Sequence, residues 1–443
     1  MSQDYALQTP PHLSSGARAG ATEPEVAPGD IAVGVLIGRT SEFFDFFVFG
    51  IASVLIFPKV FFPFVSPLEG TLYAFALFAL AFVARPIGTV IFMEIDRRHG
   101  RGVKLTVALF LLGGSTVSIA FLPTYHSIGM ASVWLLAAFR IGQGLALGGA
   151  WDGLASLLSM KAPSNRKGWY AMIPQLGAPI GFGLASALFS FFLANLPMED
   201  FLDWGWRYPF YVAFAVNVVA LFARLRLVAT EEFTQLLETR ELAPTPVWEM
   251  IRAQGRTVLI GAFVPLASFA LFHLVSIFPI SWITLFTKRS AGEFLLVQFV
   301  GSIVFAGAIV ISGIVADQVG RRRLVGISAS LIGLFSLASI LAPLLFGDSE
   351  TGQTIYVLVG FGLLGLSYGQ TSGSVTENLG TRYRYTGAAL TSDLAWLIGA
   401  GFAPLVALSL SSRFGLAWVG VYLLSGAVAT LIALAINRKA ATA

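Results

Sequence analysis

Long apolar runs alternate with short polar segments along the chain from about residue 30 onward. Each run holds roughly 20 residues, which is enough for one helix to cross the ~30 Å hydrocarbon core of a bilayer. Exposed strand edges are not tolerated in lipid, so we interpret the runs as helices. The pattern predicts an all-α membrane protein with twelve transmembrane helices, at residues 31–57, 71–93, 104–122, 130–158, 169–195, 206–224, 257–284, 294–316, 323–346, 353–374, 385–411 and 414–437.

Two polar stretches between these runs resemble each other at a distance of half the chain. One reads GIVADQVGRRR at residues 313–323, and the other ends in DRRHGR at residues 96–101. A repeat at half-length predicts two pseudo-symmetric six-helix bundles. We expect each stretch to form a tight turn between two helix ends. In such a turn a glycine can take a positive φ, and the carboxylate can cap a neighbouring helix or pair with an arginine.

The polar segments divide the chain into five parts. Residues 1–28 are polar and rich in Pro, Gly and Ser, which predicts a disordered cytoplasmic tail. Residues 227–256 form the longest polar stretch between two apolar runs, which predicts a cytoplasmic linker with a surface helix. The two six-helix bundles then cover residues 29–226 and 257–437, and residues 438–443 form a second cytoplasmic tail.

The distribution of positive charge predicts the orientation in the membrane. With both termini inside, twenty Lys and Arg residues fall in inner segments, and only Lys59, Lys288, Arg289 and Arg413 are assigned to outer loops. Cytoplasmic loops of membrane proteins carry an excess of this kind. We therefore predict a multi-pass protein of the inner (cytoplasmic) membrane with both termini in the cytoplasm.

Composition agrees with this interpretation and excludes several function classes. Only 12% of the residues are charged, against roughly 25% in a soluble domain. The basic residues lie in short loops between apolar runs, so we expect no nucleic-acid partner. The chain has no cysteine, which excludes disulfides and thiol catalysis. No Ser-His-Asp, metal-ligand or phosphate-loop pattern stands out, so we predict neither an enzyme nor a bound metal or cofactor.

Six short motifs follow one another along the apolar runs. They are EFFDFFVFG at 42–50, ARPIG at 84–88, RIGQG at 140–144, PQLGAP at 174–179, WGWR at 204–207 and RYTG at 384–387. With the twelve predicted spans and the repeated loop, they resemble the metabolite:proton symporter branch of the major facilitator superfamily. The resemblance runs from about residue 30 to the C-terminus. That branch contains carriers for shikimate, 2-oxoglutarate, citrate, proline and betaine.

The resemblance implies a secondary active transporter that imports a small organic acid together with protons by alternating access. Its partners would be the solute, protons and the lipid bilayer, and it would act as a monomer. One alternative is an uncoupled uniporter or an exporter of a small metabolite. Further alternatives are a symporter of a zwitterion such as proline or betaine, and a solute receptor without transport activity.

Two carboxylates in the first predicted span are candidates for proton coupling, because an ionisable group at membrane depth is costly. Glu42 and Asp45 are three residues apart, which places them on one helix face. A buried carboxylate of this kind can take up and release a proton near neutral pH. Asp45 is the preferred coupling residue, and the alternative is a structural ion pair with Arg85 or Arg140.

Several polar residues of other spans are candidates for solute binding. Arg85 in the second span and Arg140 in the fourth can each bind a carboxylate with the guanidinium fork. Gln143 shares a helix face with Arg140. The remaining candidates are His273 in the seventh span and Tyr368 and Gln370 in the tenth. Alternatively, Arg140 pairs with acids of the protein and affects gating alone, and His273 is a packing residue.

Charged residues near the inner helix ends are assigned to gating. They are Asp96, Arg97, Arg98, Arg101, Asp152, Asp317, Arg321, Arg322 and Asp393. Asp393 is expected within one turn of the inner end of its span, as a partner of the first-half loop.

Three acids of the family's inner network are missing or displaced. Compared with the family pattern, Arg97 occupies the position of the loop aspartate, Ala150 that of a glutamate in the fourth span, and Met160 that of the acid before Ala-Pro. Their loss would shift the conformational balance, relax proton coupling, or be compensated by Asp96, Asp152 and Asp393. The sequence leaves these three possibilities open.

Overall fold

The computed structural model describes residues 28–150, 155, 158, 162–228, 243–341, 347, 349–371 and 379–440. These residues contain helices and connecting turns and no strand. Asp152, most of the predicted N-terminal tail and the central part of the predicted linker lie outside the described residues. The positions of Met160 and of residues 441–443 lie outside them as well.

Twelve long helical segments follow the predicted apolar runs. We number them α1 (Pro28–Leu55), α2 (Pro67–His99), α3 (Arg101–Ala120), α4 (Met130–Gly149), α5 (Lys167–Asn195), α6 (Tyr208–Val228), α7 (Leu266–Phe286), α8 (Ala291–Val319), α9 (Arg321–Leu341), α10 (Glu350–Tyr368), α11 (Thr381–Phe414) and α12 (Ala417–Ala440). Ten described helices are long and apolar enough to cross a membrane. The other two predicted positions are occupied by α1 and α10, so the predicted all-α fold with twelve transmembrane helices is confirmed.

Short segments and breaks interrupt this pattern. Single turns or short helices at Phe57–Val60, Tyr125–Ile128 and Met198–Asp203 connect long ones. Within α5, a 3₁₀ segment at Ile173–Leu176 separates two α-helical parts, and within α11 a π-helical segment at Leu397–Gly401 does the same. A 3₁₀ turn narrows the helix and a π turn widens it, and irregular turns of both kinds in the middle of a helix often accompany functional sites.

The seventh apolar run does not form the single helix predicted at 257–284. A helical segment at Val247–Phe263, kinked at Gln254, begins in the predicted linker and ends before Pro265, and α7 begins at Leu266. Proline has no backbone N–H and its ring clashes with the preceding turn, so it ends the first helix although the sequence stays apolar. A second proline, Pro279, lies at the start of the last part of α7 (Phe278–Phe286).

The two predicted loop repeats adopt the same turn. Gly100 ends α2 with φ of 84°, and Gly320 ends α8 with φ of 89°. In both turns the glycine N–H donates to the carbonyl four residues earlier, at 3.0 Å, and the next helix starts at once. A positive φ is costly for residues with a Cβ, so glycine is required. The predicted tight turn is therefore confirmed in both halves, and we call this end of the molecule the basic end.

Helices α2 and α4 approach each other most closely along a line of glycines. A Cβ at Gly144 would lie 2.4 Å from the Ala81 carbonyl oxygen, and one at Gly148 would lie 2.3 Å from the Arg85 carbonyl oxygen. Helices in lipid pack through such small residues because their backbones can then touch. This contact fixes where α4 presents its polar side chains.

Replacement of Gly148 by alanine is expected to destabilise this helix pair. The new methyl group would meet backbone atoms that cannot rotate away, and overpacking of this kind costs about 1–3 kcal/mol or more. The thermal midpoint of the purified Gly148→Ala variant should fall by several degrees. Gly114→Ala is the matched control, because no atom lies within 4 Å of a Cβ at Gly114. Equal midpoints for both variants would contradict this account of the α2–α4 contact.

Candidate functional site

A small cavity lies where α1, α2 and α4 meet α11. Its walls combine three charged side chains with aromatic rings, and almost all of them belong to the first half of the chain. The lining residues are Arg39, Glu42, Phe43, Phe46, Ala81, Phe82, Arg85, Leu147 and Trp396. Trp396 is the second half's contribution to this lining.

A layer of aromatic rings joins the two halves beside this cavity. Phe43 lies 5.9 Å from Phe272 and 6.0 Å from Trp396, measured between ring centroids. Phe82 stacks on Trp396 at 6.3 Å. Tyr368, predicted to bind solute, lies within this layer, 5.3 Å from Phe272. Aromatic packing of this kind stabilises the contact and excludes water.

Asp45 is buried inside the first half, on the side of α1 that faces α3, α4 and α6. Its carboxylate accepts hydrogen bonds from the Thr116 hydroxyl, from Gln143 Nε2 at 3.2 Å and from Asn217 Nδ2 at 3.4 Å. All three donors are neutral. The alternative prediction, an ion pair with Arg85 or Arg140, is wrong: within the described residues, no Lys or Arg lies at ion-pair distance from Asp45.

Arg140 is fully buried and lies one side chain away from Asp45. Its Nη1 donates to Gln143 Oε1 at 3.0 Å, and its Nε and Nη2 point to the Phe78 carbonyl oxygen at 3.4 Å. Its guanidinium carbon lies 3.9 Å from the centroid of Phe49. No carboxylate among the described residues forms an ion pair with it.

Gln143 thus connects the buried arginine to the buried carboxylate. Its amide oxygen accepts from Arg140, and its amide nitrogen donates to Asp45 and to the Thr116 hydroxyl at 2.9 Å. The predicted common face of Arg140 and Gln143 is confirmed. Arg140, Gln143 and Asp45 therefore form one continuous chain of buried hydrogen bonds.

Glu42 faces the same helix, α6, as Asp45 does, but makes different contacts. It accepts from Arg39 Nη1 at 2.8 Å and from Arg224 Nη2 at 2.5 Å. Arg224 reaches Glu42 by passing directly over Gly38, where a Cβ would lie 2.2 Å from its Nε. Glu42 is therefore held by two arginines at the edge of the cavity, whereas Asp45 lies deeper among neutral groups.

Arg85 and Asp393 form an ion pair between the two halves. Arg85 Nε lies 2.6 Å from Asp393 Oδ1, and the Thr89 hydroxyl donates to the other carboxylate oxygen. Asp393 was expected within one turn of the inner helix end, and that expectation is wrong. It lies nine residues after Arg384, the first residue of its α-helical segment, and therefore opposite the middle part of α2 rather than the loop at its end.

His273 projects from α7 into rings of the first half. Its ring centroid lies 5.4 Å from Phe46, 5.4 Å from Phe78 and 6.1 Å from Phe82. The side chain is fully buried, and within the described residues neither ring nitrogen has a hydrogen-bond partner.

Asp96 joins the two halves at the basic end. Its carboxylate accepts from Lys104 Nζ at 3.0 Å, from the Tyr385 hydroxyl at 3.2 Å and from Arg101 Nε at 3.4 Å. Lys104 also donates to the Tyr385 oxygen at 2.7 Å. Arg101 lies over the Tyr385 ring, 4.4 Å from its centroid. Since Tyr385 belongs to α11 and the other three to α2 and α3, this cluster ties the halves together.

Asp317 makes the corresponding contact from the second half, but in another way. It accepts from the backbone N–H groups of Gly168 at 2.6 Å and Trp169 at 3.1 Å, at the start of α5. Arg321 adds a contact to the Lys167 carbonyl oxygen at 3.3 Å. The loop carboxylate was predicted to cap a neighbouring helix or to pair with an arginine. Asp317 takes the first of these roles, because it caps a helix, and Asp96 takes the second, because it pairs with basic residues.

The remaining candidates either lie away from the cavity or make no contact between the two halves. Gln370, predicted to bind solute, donates to the Gly168 carbonyl oxygen at 3.2 Å at the basic end, because it follows the last residue of α10. Arg97 and Arg98 both bind Glu94 on their own helix. Arg322 donates to the Leu434 carbonyl oxygen within the second half.

Sequence reasoning missed three residues that complete these clusters. Thr116 and Arg224 bind the two acids of α1, and Lys104 binds Asp96. The signal for Arg224 was its position seven residues after Asn217, which places both on one face of α6. For Thr116 the sequence offers no signal, because a threonine in an apolar run is common.

Removal of the Tyr385 hydroxyl is expected to loosen the basic end. Tyr385→Phe keeps the ring over Arg101 and deletes the two hydrogen bonds to charged groups, each worth about 1.5–3 kcal/mol. A cysteine introduced at Ala389, which is buried at this contact, should then react severalfold faster with a maleimide. The chain has no native cysteine to interfere.

Tyr383→Phe is the matched control for this measurement. The Tyr383 hydroxyl donates to Glu249 at 2.9 Å, in the helix Val247–Phe263, and so does not join the two halves. If Tyr383→Phe accelerates labelling at position 389 as strongly as Tyr385→Phe does, the hydroxyl of Tyr385 has no specific role in closing the basic end.

Comparisons with known proteins agree with this geometry. A family model described as Major Facilitator Superfamily matches residues 35–396. The chain is 36% identical over 413 residues to the inner membrane metabolite transport protein YhjE of Escherichia coli (strain K12), covering 92% of this chain and 94% of that one. It is 27% identical to the citrate-proton symporter of Klebsiella pneumoniae, covering 90% of each chain. The crystal structure of a D-xylose-proton symporter aligns with a TM-score of 0.68 at 17% identity, covering 91% of this chain and 97% of that one.

Proposed function

This chain belongs to the major facilitator superfamily and is a multi-pass membrane transporter of metabolites, and from this premise we propose that it imports a small organic anion together with protons. Asp45 carries the proton, and Arg140 binds the carboxylate of the solute. Transport proceeds by alternating access around the centre of the molecule.

The main support for this proposal is the environment of the Asp45 carboxylate. It is buried, accepts hydrogen bonds from neutral donors, and has no arginine or lysine of the described chain at ion-pair distance. A carboxylate fixed in an ion pair stays ionised, whereas one held by neutral groups can be stable with or without a proton. Glu42, held by Arg39 and Arg224, is the less suitable carrier.

The position of Arg140 supports an anionic solute. A buried guanidinium is costly unless a carboxylate compensates it, and Arg140 has only amide and carbonyl oxygens as partners within the described residues. A solute carboxylate would supply the ion-pair partner that Arg140 lacks among the described residues. Because Gln143 bridges Arg140 and Asp45, binding of the anion and protonation of the carboxylate would each favour the same orientation of its amide.

The comparisons support the same reading. The citrate-proton symporter relative is named for an organic acid and a proton, and it matches this chain along nine-tenths of its length. We assign the basic end to the cytoplasm, because Arg101, Lys104 and Arg321 lie there. The halves also touch at the opposite end, where the Ser190 hydroxyl donates to the Gly292 carbonyl oxygen at 3.0 Å. Exchange of solute with either side therefore requires the halves to separate at one end.

Proton-coupled uptake into liposomes tests the proposal. The purified protein is reconstituted with a pH-sensitive dye inside, and shikimate, 2-oxoglutarate, citrate, tartrate, aromatic acids, proline and betaine are added in turn. We expect an acid to drive acidification of the lumen, and proline and betaine to give none. Movement of labelled solute without protons would instead identify an uncoupled carrier. Uptake of proline or betaine alone would contradict the assignment of an anionic solute.

A further inference from the structure

His273 is a buried polar side chain that the proton and carboxylate sites leave unexplained. Among the described aromatic contacts, His273 is the one residue of the second half whose ring packs against Phe46, Phe78 and Phe82 together. A buried polar group without a hydrogen bond costs about 1–3 kcal/mol. Phenylalanine, which would pack with the same rings, has no such cost. At this position the imidazole is therefore less stabilising than a phenyl ring would be.

The position of His273 relates it to both the cavity and Arg140. Phe46 and Phe82 line the cavity, and the same two rings contact His273. The guanidinium of Arg140 lies 5.7 Å from the centroid of Phe46, and the imidazole lies 5.4 Å from it. The two polar groups therefore contact the same phenyl ring, and this ring also lines the cavity.

We propose that His273 binds a hydroxyl group of the solute while Arg140 binds its carboxylate, so that the solute is a hydroxy carboxylic acid. This inference rests on the proposed function for its carboxylate site. A neutral imidazole offers one donor and one acceptor, which match a hydroxyl group. A second carboxylate is disfavoured there, because the surrounding groups are phenyl rings and an unpaired anion among them is costly. His273 is thus a specificity-determining residue contributed by the half opposite Arg140.

The inference predicts a difference between acids that differ only in a hydroxyl group. Suitable pairs are malate and succinate, and citrate and tricarballylate. A site that donates or accepts a hydrogen bond to a hydroxyl rejects the analogue that lacks it, because the protein group is then left unpaired. For at least one pair, the wild type should bind the hydroxy acid about tenfold or more tightly than its partner.

Two apolar variants and one polar variant test the residue itself. His273→Phe and His273→Leu should remove the discrimination within the pair, and the thermal midpoint of the empty His273→Phe protein should equal or exceed that of the wild type. His273→Gln should restore part of the discrimination. His126→Gln is the matched control, since His126 is exposed between α3 and α4. Binding is measured as the solute-induced shift of the thermal midpoint, and uptake by the liposome assay.

The two readouts separate this inference from the proposed function. One possible result is that the wild type moves no protons and that the apolar variants lose the discrimination between the paired acids. This result would refute symport and support the role of His273. Proton-coupled uptake with equal discrimination in wild type, His273→Phe and His273→Leu would uphold symport and overturn the role of His273. A wild type that does not discriminate within any pair would also overturn it.

Discussion

Asp45→Asn should abolish proton-coupled uptake while solute exchange across the membrane continues. The amide has nearly the shape of the carboxylate and can still bond to Thr116 and Asn217, but it cannot take up a proton. Uptake against a gradient should therefore fall about 100-fold or more, which corresponds to roughly 2.7 kcal/mol. Counterflow of labelled solute in liposomes loaded with unlabelled solute should stay within a few-fold of the wild type.

Asp203→Asn is the matched control, since Asp203 is an exposed carboxylate near the opposite end of the molecule. It should leave both uptake and counterflow unchanged. If Asp45→Asn retains proton-coupled uptake, the proton is carried elsewhere, and Glu42 becomes the next carboxylate to test. If it loses counterflow as well, Asp45 is needed for the rearrangement of the halves rather than for the proton alone.

The apolar pattern was sufficient to predict the helices because a membrane restricts the possible structures. A run of about 20 apolar residues can satisfy its backbone in lipid only as a helix. The Gly100 and Gly320 turns were also predictable, since a glycine after a helix and before a basic residue has a specific geometric use. The break at Pro265 was not predicted, because the residues on both sides of it are apolar and the hydropathy shows no interruption.

Contacts within one helix were easier to predict than contacts between helices. Gln143 follows Arg140 by three residues, so helical geometry alone places them together. Asp393 and Arg85 are 308 positions apart, and their ion pair depends on how α11 crosses α2. The sequence therefore identified both as functional candidates without identifying them as partners.

The displaced acid of the first loop shows what the sequence could not decide. Arg97 occupies the position of the family's aspartate, and Asp96 precedes it. One residue rotates a side chain by about 100° around a helix. In the structure Asp96 points toward Lys104 and Tyr385, and Arg97 points toward Glu94. Asp96 thus makes a contact between the halves, whereas Arg97 stays on the surface of its own half.

Arg140→Lys is expected to have the second large effect, and a different one from Asp45→Asn. Lysine keeps the charge but loses the planar fork that can bind a carboxylate through two hydrogen bonds. A hydrogen bond to a charged group contributes about 1.5–3 kcal/mol, so loss of one weakens the affinity for the solute by roughly 10- to 150-fold. Proton-coupled uptake and counterflow should both be lost at solute concentrations that saturate the wild type.

The contrast between the two variants tests whether proton and anion have separate sites. Arg413→Lys, at an exposed arginine of the opposite end, is the control for the substitution itself. If the proton and the anion have separate sites that Gln143 links, Asp45→Asn should still show a solute-induced thermal shift. Arg140→Lys should show none. A normal thermal shift in Arg140→Lys would exclude Arg140 as the carboxylate ligand. Arg85, a partly buried arginine that lines the cavity, would then be the next one to test.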